Sequence, residues 1–536
     1  MGVAQVLSRA QLGLEAPLVQ IEAHLGSGLP GFSIVGLPTP VVRESRERVR
    51  SALLNSGYDF PPGRITVNLA PVELAKEGGR YDLPVALALL VASGQLTVRR
   101  HGVLECYGEL GLDGQLRPVR GLLLAAIQAA RAGHEMVIPG SNVAEASLAR
   151  TQNLAGFSDL HSVCRYLAGE ADAGTRSPDT RPENESPENQ YLSILDVKGQ
   201  WRAKRALTIA AAGGHSLLMV GPPGSGKSML AVRLPGLLPP LTEAEAMAVA
   251  GIASISGPGF DPNSWGQRPF RSPHHASSAN AIVGGGSRLR PGEISLAHHG
   301  VLFMDELPEF DRRVLEALRE PLESGTITLA RATDRLTLPA EFQLVAAMNP
   351  CPCGYLGDPA NRCRCGPRRV RRYQERLSGP LLDRIDLYVE VPRTELAALR
   401  TAVPPLEGAP TPAAAVRAAR SAQQARQRCC NARLDHAGIE SYCQVGAAAG
   451  ELLEYLGDRL RLSARGYHRL LKVARTIADL EHAGEISTAH VTEAATLRSP
   501  VGWGDCGETH SAGGDPPRSR EREPIRPSEP GNPRPT

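Results

Sequence analysis

The chain has 536 residues, 42% hydrophobic and 21% charged, with a net charge of +3 and ten cysteines. That length exceeds what one core can hold, and about three domains is the prior. The near-neutral balance excludes a global basic field, so any nucleic-acid contact is local; no apolar run spans a membrane and no signal pattern opens the chain, so the expectation is a soluble cytoplasmic protein with reduced thiols.

Residues 1–169 mix strands and helices. Ala16–Leu25, Gly31–Val35, Arg64–Leu69 and Glu135–Pro139 read as strands, and Val41–Ser56, Asp82–Ser93 and Gly121–Ala132 as helices. Residues 105–117 read as a hairpin turning at Asp113-Gly114. Residues 170–190 lack large apolar side chains and read as a linker. Residues 191–394 read as an α/β core, with strands at His215–Val220, Gly300–Asp305, Phe342–Met348 and Asp386–Val391 and helices between them. That order suits a parallel sheet with a nucleotide at the strand ends. Residues 395–503 pass through a Pro-rich stretch into helices near 413–430, 447–457, 463–481 and 487–497, and 504–536 read as a disordered tail.

The strongest motif is Gly221-Pro222-Pro223-Gly224-Ser225-Gly226-Lys227-Ser228, between an apolar strand and a helix. This is a complete phosphate-binding loop in the context it needs. Its glycines allow successive N–H groups to face a phosphate. Lys227 is placed for the β- and γ-phosphates of ATP, and Ser228 for Mg²⁺. Val301–Glu306 is an apolar strand ending in two acids; Asp305 is the candidate to hold Mg²⁺ through its waters, and Glu306 to polarise the attacking water. Asn349, after a further strand, is a candidate to orient that water. Arg384 is a candidate arginine finger, with a surface ion pair to Asp383 or Asp386 as the alternative. Arg465 is a candidate phosphate contact from a helical lid, and Arg469, one turn on, is its rival.

Cys351-x-Cys353 and Cys363-x-Cys365 place four thiols within fifteen residues. They form a candidate Zn²⁺ site, although the one-residue gap is tighter than usual. Arg362, Arg364, Arg368, Arg369, Arg371, Arg372 and Arg376 follow, opposed only by Glu375; they read equally as a phosphate-contacting face or as a solvated or intersubunit one. Residues 326–338 alternate about a polar centre and read as a β-hairpin, with Arg331 and Arg335 near its tip as candidate DNA contacts.

Together these motifs resemble an AAA+ ATPase of the magnesium-chelatase-like branch. Arg271-Ser272-Pro273-His274-His275, Gly284-Gly285-Gly286, Pro291–Gly300 and Asn349–Gly354 are similar to the ComM/YifB family, over nearly the whole of residues 1–503. The resemblance implies a hexameric ring that hydrolyses ATP to drive branch migration of DNA joints in natural transformation. It implies the roles above for Lys227, Ser228, Asp305, Glu306, Asn349, Arg384 and Arg465. The histidine pairs 274–275 and 298–299 read as packing for a helix insert rather than metal ligands. Residues Lys76–Ala88 resemble the Lon-protease-like fold, but no Ser or Thr lies between Pro71 and Ala92, which disfavours proteolysis. A chelatase motor subunit and a non-hydrolysing nucleotide-binding scaffold are the remaining alternatives.

Overall fold

Alternating apolar residues in Leu18–Gly26 and Arg64–Ala70 set one face of each strand inward, with Val19, Ile21, Ile65, Val67 and Leu69 buried. The structure is a computed structural model that describes residues 2–150, 153–172, 174, 191–257, 259–286, 289–330, 335–357, 360, 362–394, 410–460 and 462–498. These residues belong to one unit, Met1–Pro500. Most of the expected linker and all of the expected tail lie outside them. Among the described residues no helix is long and apolar enough to cross a membrane.

The N-terminal sheet contains β1 (Gly2–Arg9), β2 (Leu18–Gly26), β3 (Gly31–Val35), β4 (Arg64–Ala70), β5 (Leu104–Cys106), β8 (Glu135–Pro139) and β9 (Leu154–Phe157), in the order β3-β4-β2-β1-β5-β8-β9. The helix Asp82–Ala92 is apolar all round and packs into its core. Patterning did not anticipate β1, β9 or the helix Leu160–Leu167. The expected 105–117 hairpin is narrower: β6 (Glu109–Leu110) pairs with β7 (Leu116–Arg117), while β5 joins the main sheet between β1 and β8. Its residues Glu105 and Cys106 are buried there, which a two-stranded ribbon would not achieve.

The second sheet is wholly parallel. It contains β10 (Leu217–Val220), β11 (Phe270–Arg271), β14 (Val301–Met304), β17 (Gln343–Met348) and β18 (Leu387–Glu390), in the order β11-β14-β17-β10-β18. Its central strands are unbroken apolar runs because both faces are covered. Val220 pairs with Met348 and Glu390, and Met304 with Ala346, so the residues after these strands gather along one edge. Two hairpins flank it, β12 (Gly284–Gly285) with β13 (Arg290–Pro291), and β15 (Thr326–Ala330) with β16 (Arg335–Pro339).

The helices Pro412–Gln427, Ala447–Arg459, Ala464–Leu480 and Thr488–Thr496 fall near their expected positions, and His436–Tyr442 adds one more. Leu453, Leu470, Ala474, Ile477 and Val491 share a core with β10 and with the helix Trp201–Gly213. The two sheets are joined by a smaller apolar cluster, where Leu123 and Leu148 meet Ala246, Ala250 and Trp265.

Candidate functional site

The parallel register brings the ends of β10, β14 and β17 side by side, and with them the residues of three separate motifs. Gly221 is required where it stands: a Cβ there would lie 2.2 Å from the Val391 carbonyl oxygen. Gly224 and Gly226 have φ of 73° and 92°, open to glycine at little cost. Lys227 Nζ donates to the carbonyls of Gly221 and Pro222 at 2.7 and 3.0 Å and to Asn349 Oδ1 at 3.2 Å. Burial lowers the Lys227 pKa, opposed by Asp305 and Glu306. Ser228 Oγ donates to Asp305 Oδ2 at 2.6 Å, and the Glu306 N–H donates to Asp305 Oδ1 at 2.9 Å.

This geometry fits a magnesium–nucleotide ligand. A hydroxyl and a carboxylate converge as two oxygen donors suited to Mg²⁺, beside a buried ammonium and a glycine cradle that side chains would block. The Ser225 hydroxyl is buried in the same loop without a partner.

The sequence suggests only a packing role for His275, yet its Nδ1 lies 3.2 Å from Glu306 Oε2. It follows β11, the strand beside β14, so the sheet order sets it next to the acid. Its ring also lies tilted by 34° against that of His274, with centroids 4.2 Å apart, and meets Phe310 edge-on. Glu306 sits at φ 53°, a conformation that costs a non-glycine residue energy and is found where a site demands it. The other histidine pair is embedded: His298 Nδ1 accepts the Glu341 N–H at 3.0 Å, and burial with His299 pushes its pKa down to about 3.

Arg384 and Arg465 meet at the other end of the sheet. Arg384 Nη2 lies 2.6 Å from Glu323 Oε1, and Arg465 Nη2 lies 3.6 Å from the same oxygen. Neither Asp383 nor Asp386 is the partner of Arg384. Asp386 is engaged by Arg469 at 2.5 Å, by the Ser216 N–H at 3.0 Å and by His215 at 3.5 Å. The Arg384 carbonyl accepts from Ser216 Oγ at 2.9 Å and from Arg469 Nη1 at 2.7 Å, so Arg469 braces the backbone. Ser216 precedes β10 while the phosphate loop follows it, a separation of about 13 Å along the strand. Arg465 therefore stands with Arg384, away from the loop of its own chain.

The four thiols converge. Cys351 Sγ lies 3.4 Å from Cys353 Sγ and 3.8 Å from Cys363 Sγ, Cys353 and Cys363 are 3.7 Å apart, and all four sulfurs including that of Cys365 lie within 4.8 Å of one another. Tetrahedral zinc with bonds of about 2.3 Å requires sulfurs about 3.8 Å apart, so the residues fit that ion. The cluster rests on the phosphate loop: a Cβ on Gly354 would lie 2.5 Å from Pro223 Cδ. In the 326–338 hairpin, Arg335 is exposed at the start of β16, whereas Arg331 lies outside the described residues. Leu329 of the hairpin lies against Gly284, and Leu336 against Gly13.

A parallel sheet carrying a phosphate loop, an acidic pair and an asparagine on one edge defines a P-loop nucleotide-binding core. Three family models match the chain: "Magnesium chelatase, subunit ChlI" over residues 193–399, "Subunit ChlI of Mg-chelatase" over 21–142 and "Magnesium chelatase, subunit ChlI C-terminal" over 407–498. The chain is 48% identical to YifB of Salmonella typhimurium, covering 93% of this chain and 97% of that protein. It is 47% identical to competence protein ComM of Haemophilus influenzae, covering 94% and 98%. A stretch of 100 residues, 19% of the chain and 11% of the relative, is 32% identical to DNA replication licensing factor Mcm6 of Drosophila melanogaster. The chain belongs to the ComM/YifB family of magnesium-chelatase-like AAA+ proteins.

Proposed function

We propose that this protein is an ATP-hydrolysing ring motor that moves branched DNA. One observation carries the motor reading: the residues for nucleotide and water lie at one edge of the parallel sheet, while Arg384 and Arg465 lie at the other. No single chain completes such a site. A head-to-tail neighbour does, and repetition of that contact closes a ring, here taken as a hexamer.

In this reading ATP would be the substrate, and Mg²⁺ when bound would neutralise the charge that develops on its phosphates during hydrolysis. Lys227 would exchange the Gly221 and Pro222 carbonyls for the β- and γ-phosphates, and Ser228 and Asp305 would hold Mg²⁺ and its waters. Glu306 accepts the proton of the attacking water, which Asn349 orients. Arg384 and Arg465 of the adjoining chain turn from Glu323 to the phosphate, where a guanidinium stabilises transition-state charge. Residues 191–394 form the motor core, 395–503 the helical lid, 170–190 a linker and 504–536 a tail. Residues 1–169 form a Lon-like platform. Within it Lys76 and Arg80 are buried, with Arg80 bonded to Gln11 and the Arg120 carbonyl; the lack of a Ser or Thr between Pro71 and Ala92 is what opposes protease chemistry. Cys351, Cys353, Cys363 and Cys365 would hold zinc as a structural brace.

DNA is favoured as cargo by the relatives named for competence and DNA replication, and by the hairpin bearing Arg331 and Arg335. Cytoplasmic residence suits that cargo. The second reading, a motor for metal insertion into a tetrapyrrole, is favoured by the chelatase descriptions of the matching family models. A synthetic four-way junction separates them. ATP-dependent junction migration, with ATP turnover stimulated by branched or single-stranded DNA, supports the first; turnover indifferent to DNA and no junction movement would sink it.

A further inference from the structure

The helix Pro367–Gln374 places Arg368, Arg369, Arg371 and Arg372 on exposed positions, and Arg364 is exposed just before it. None of these five forms an ion pair with a described residue. At 100° per residue the four helical arginines cover an arc of about 160°. Val370 and Tyr373, which are buried, lie opposite. Seven cations in the sequence thus resolve into two kinds: Arg376 is bound to Glu309 at 2.6 Å and Arg362 lies over the Tyr355 ring at 4.5 Å, while these five face solvent.

The opposite side of this helix is fastened to the nucleotide edge of the sheet. Gln374 Nε2 donates to the Pro350 carbonyl, next to Asn349, at 3.4 Å. Arg376 Nη1 donates to the Pro308 carbonyl, two residues past Glu306, at 3.1 Å. The N-terminal end is tied to Cys363 and Cys365, whose cluster presses on Pro223. A load on the arginine face therefore bears on the strand ends that carry Asn349 and Glu306.

We infer that this helix is a docking face for the phosphate backbone of nucleic acid, and that it transmits occupancy to the hydrolytic residues. The inference rests on the DNA-motor reading and adds to it the site and the route of stimulation. Guanidinium forks match phosphate oxygens, and a backbone supplies them in an unbroken row. A second copy of the chain is the weaker match: the exposed acid stripe on the helix Ala447–Arg459, formed by Glu451, Glu454 and Asp458, brings three charges to five.

The test uses the full-length protein and a fluorescein-labelled oligo-dT strand, in a salt series with and without ATP. The variant is R368Q/R369Q/R371Q/R372Q, and the charge-keeping R368K/R369K/R371K/R372K is the control. The glutamine variant should unfold at the wild-type temperature and keep the wild-type particle mass. It should lose tenfold or more in DNA affinity, and its slope of log K on log salt should shrink by about 3. DNA stimulation of ATP turnover should vanish, and the lysine variant should recover most of the affinity. Unchanged affinity, slope and stimulation in the glutamine variant would overturn the inference while leaving the motor reading intact. A variant that binds DNA normally but no longer assembles would also overturn it, assigning the face to a second copy. A wild-type protein that neither binds the strand nor responds to it would bring down the motor reading itself.

Discussion

His275 Nδ1 stands 3.2 Å from Glu306 Oε2, so the acid best placed to activate water is tied to an imidazole on the loop that follows the neighbouring strand. Glu306→Gln keeps the shape and removes the base. ATP turnover should fall about 100-fold or more while ATP remains bound, as measured by single-turnover hydrolysis and retention of labelled nucleotide. Persistent turnover would move the base elsewhere.

The same pairing makes a prediction for His275→Ala. A partly exposed pair of this kind contributes roughly 0.5–1 kcal/mol, so its removal should release the Glu306 carboxylate and raise DNA-free turnover about two- to five-fold. A fall in basal turnover would mean that His275 positions Glu306 for catalysis instead of restraining it.

Arg465 and Arg469 share a helix but should separate cleanly. The Arg465 side chain is 67% exposed, and its loss should change stability by less than about 0.5 kcal/mol while abolishing turnover. Mixing Arg384→Ala or Arg465→Ala chains with Lys227→Ala chains should restore part of the activity, because a mixed interface can combine an intact loop with intact arginines. No recovery in assembled mixtures would place the arginines in the same site as their own loop.

Asp386 should govern the acid limb of stability. Burial raises its carboxyl pKa, but Arg469, His215 and the Ser216 N–H outweigh burial and hold it well below the usual range. A depressed folded-state pKa gives stability that is complete above the unfolded value of about 4 and is lost as pH falls toward the folded one. Asp386→Asn should therefore flatten the loss of thermal stability between about pH 5 and pH 2. At neutral pH it should cost about 3 kcal/mol, since Arg469 is left without its carboxylate. An unchanged acid limb would show that other carboxylates control it.

Purified protein should contain about one zinc per chain. Cys351→Ser should release the metal and, through the Gly354–Pro223 contact, weaken ATP binding measured by a fluorescent analogue. Metal-free protein with full nucleotide affinity would separate the cluster from the loop.

Much of this site was legible in the chain because its signals are local. The phosphate loop needs eight consecutive residues, and the acidic pair needs one apolar strand before it. The thiols are legible as two C-x-C pairs within fifteen residues, although ten residues of extended chain span about 33 Å, so their convergence is a tertiary fact. The short strand β9 and the helix Leu160–Leu167 escaped because brief elements are held by packing more than by periodicity. His275 escaped because nothing in Arg271–His275 shows that β11 lies beside β14.

The sequence alone determined a P-loop core and its candidate chemistry, since spacing along the backbone is enough to define a loop that cradles phosphate. Only the tertiary structure decided the partnerships: His275 with Glu306, Arg384 and Arg465 on Glu323, and the arginine helix on the nucleotide edge. Those contacts join residues far apart in the chain, and they exist because parallel strands in the order β11-β14-β17-β10-β18 set all C-terminal ends on one edge and Arg384 on the other.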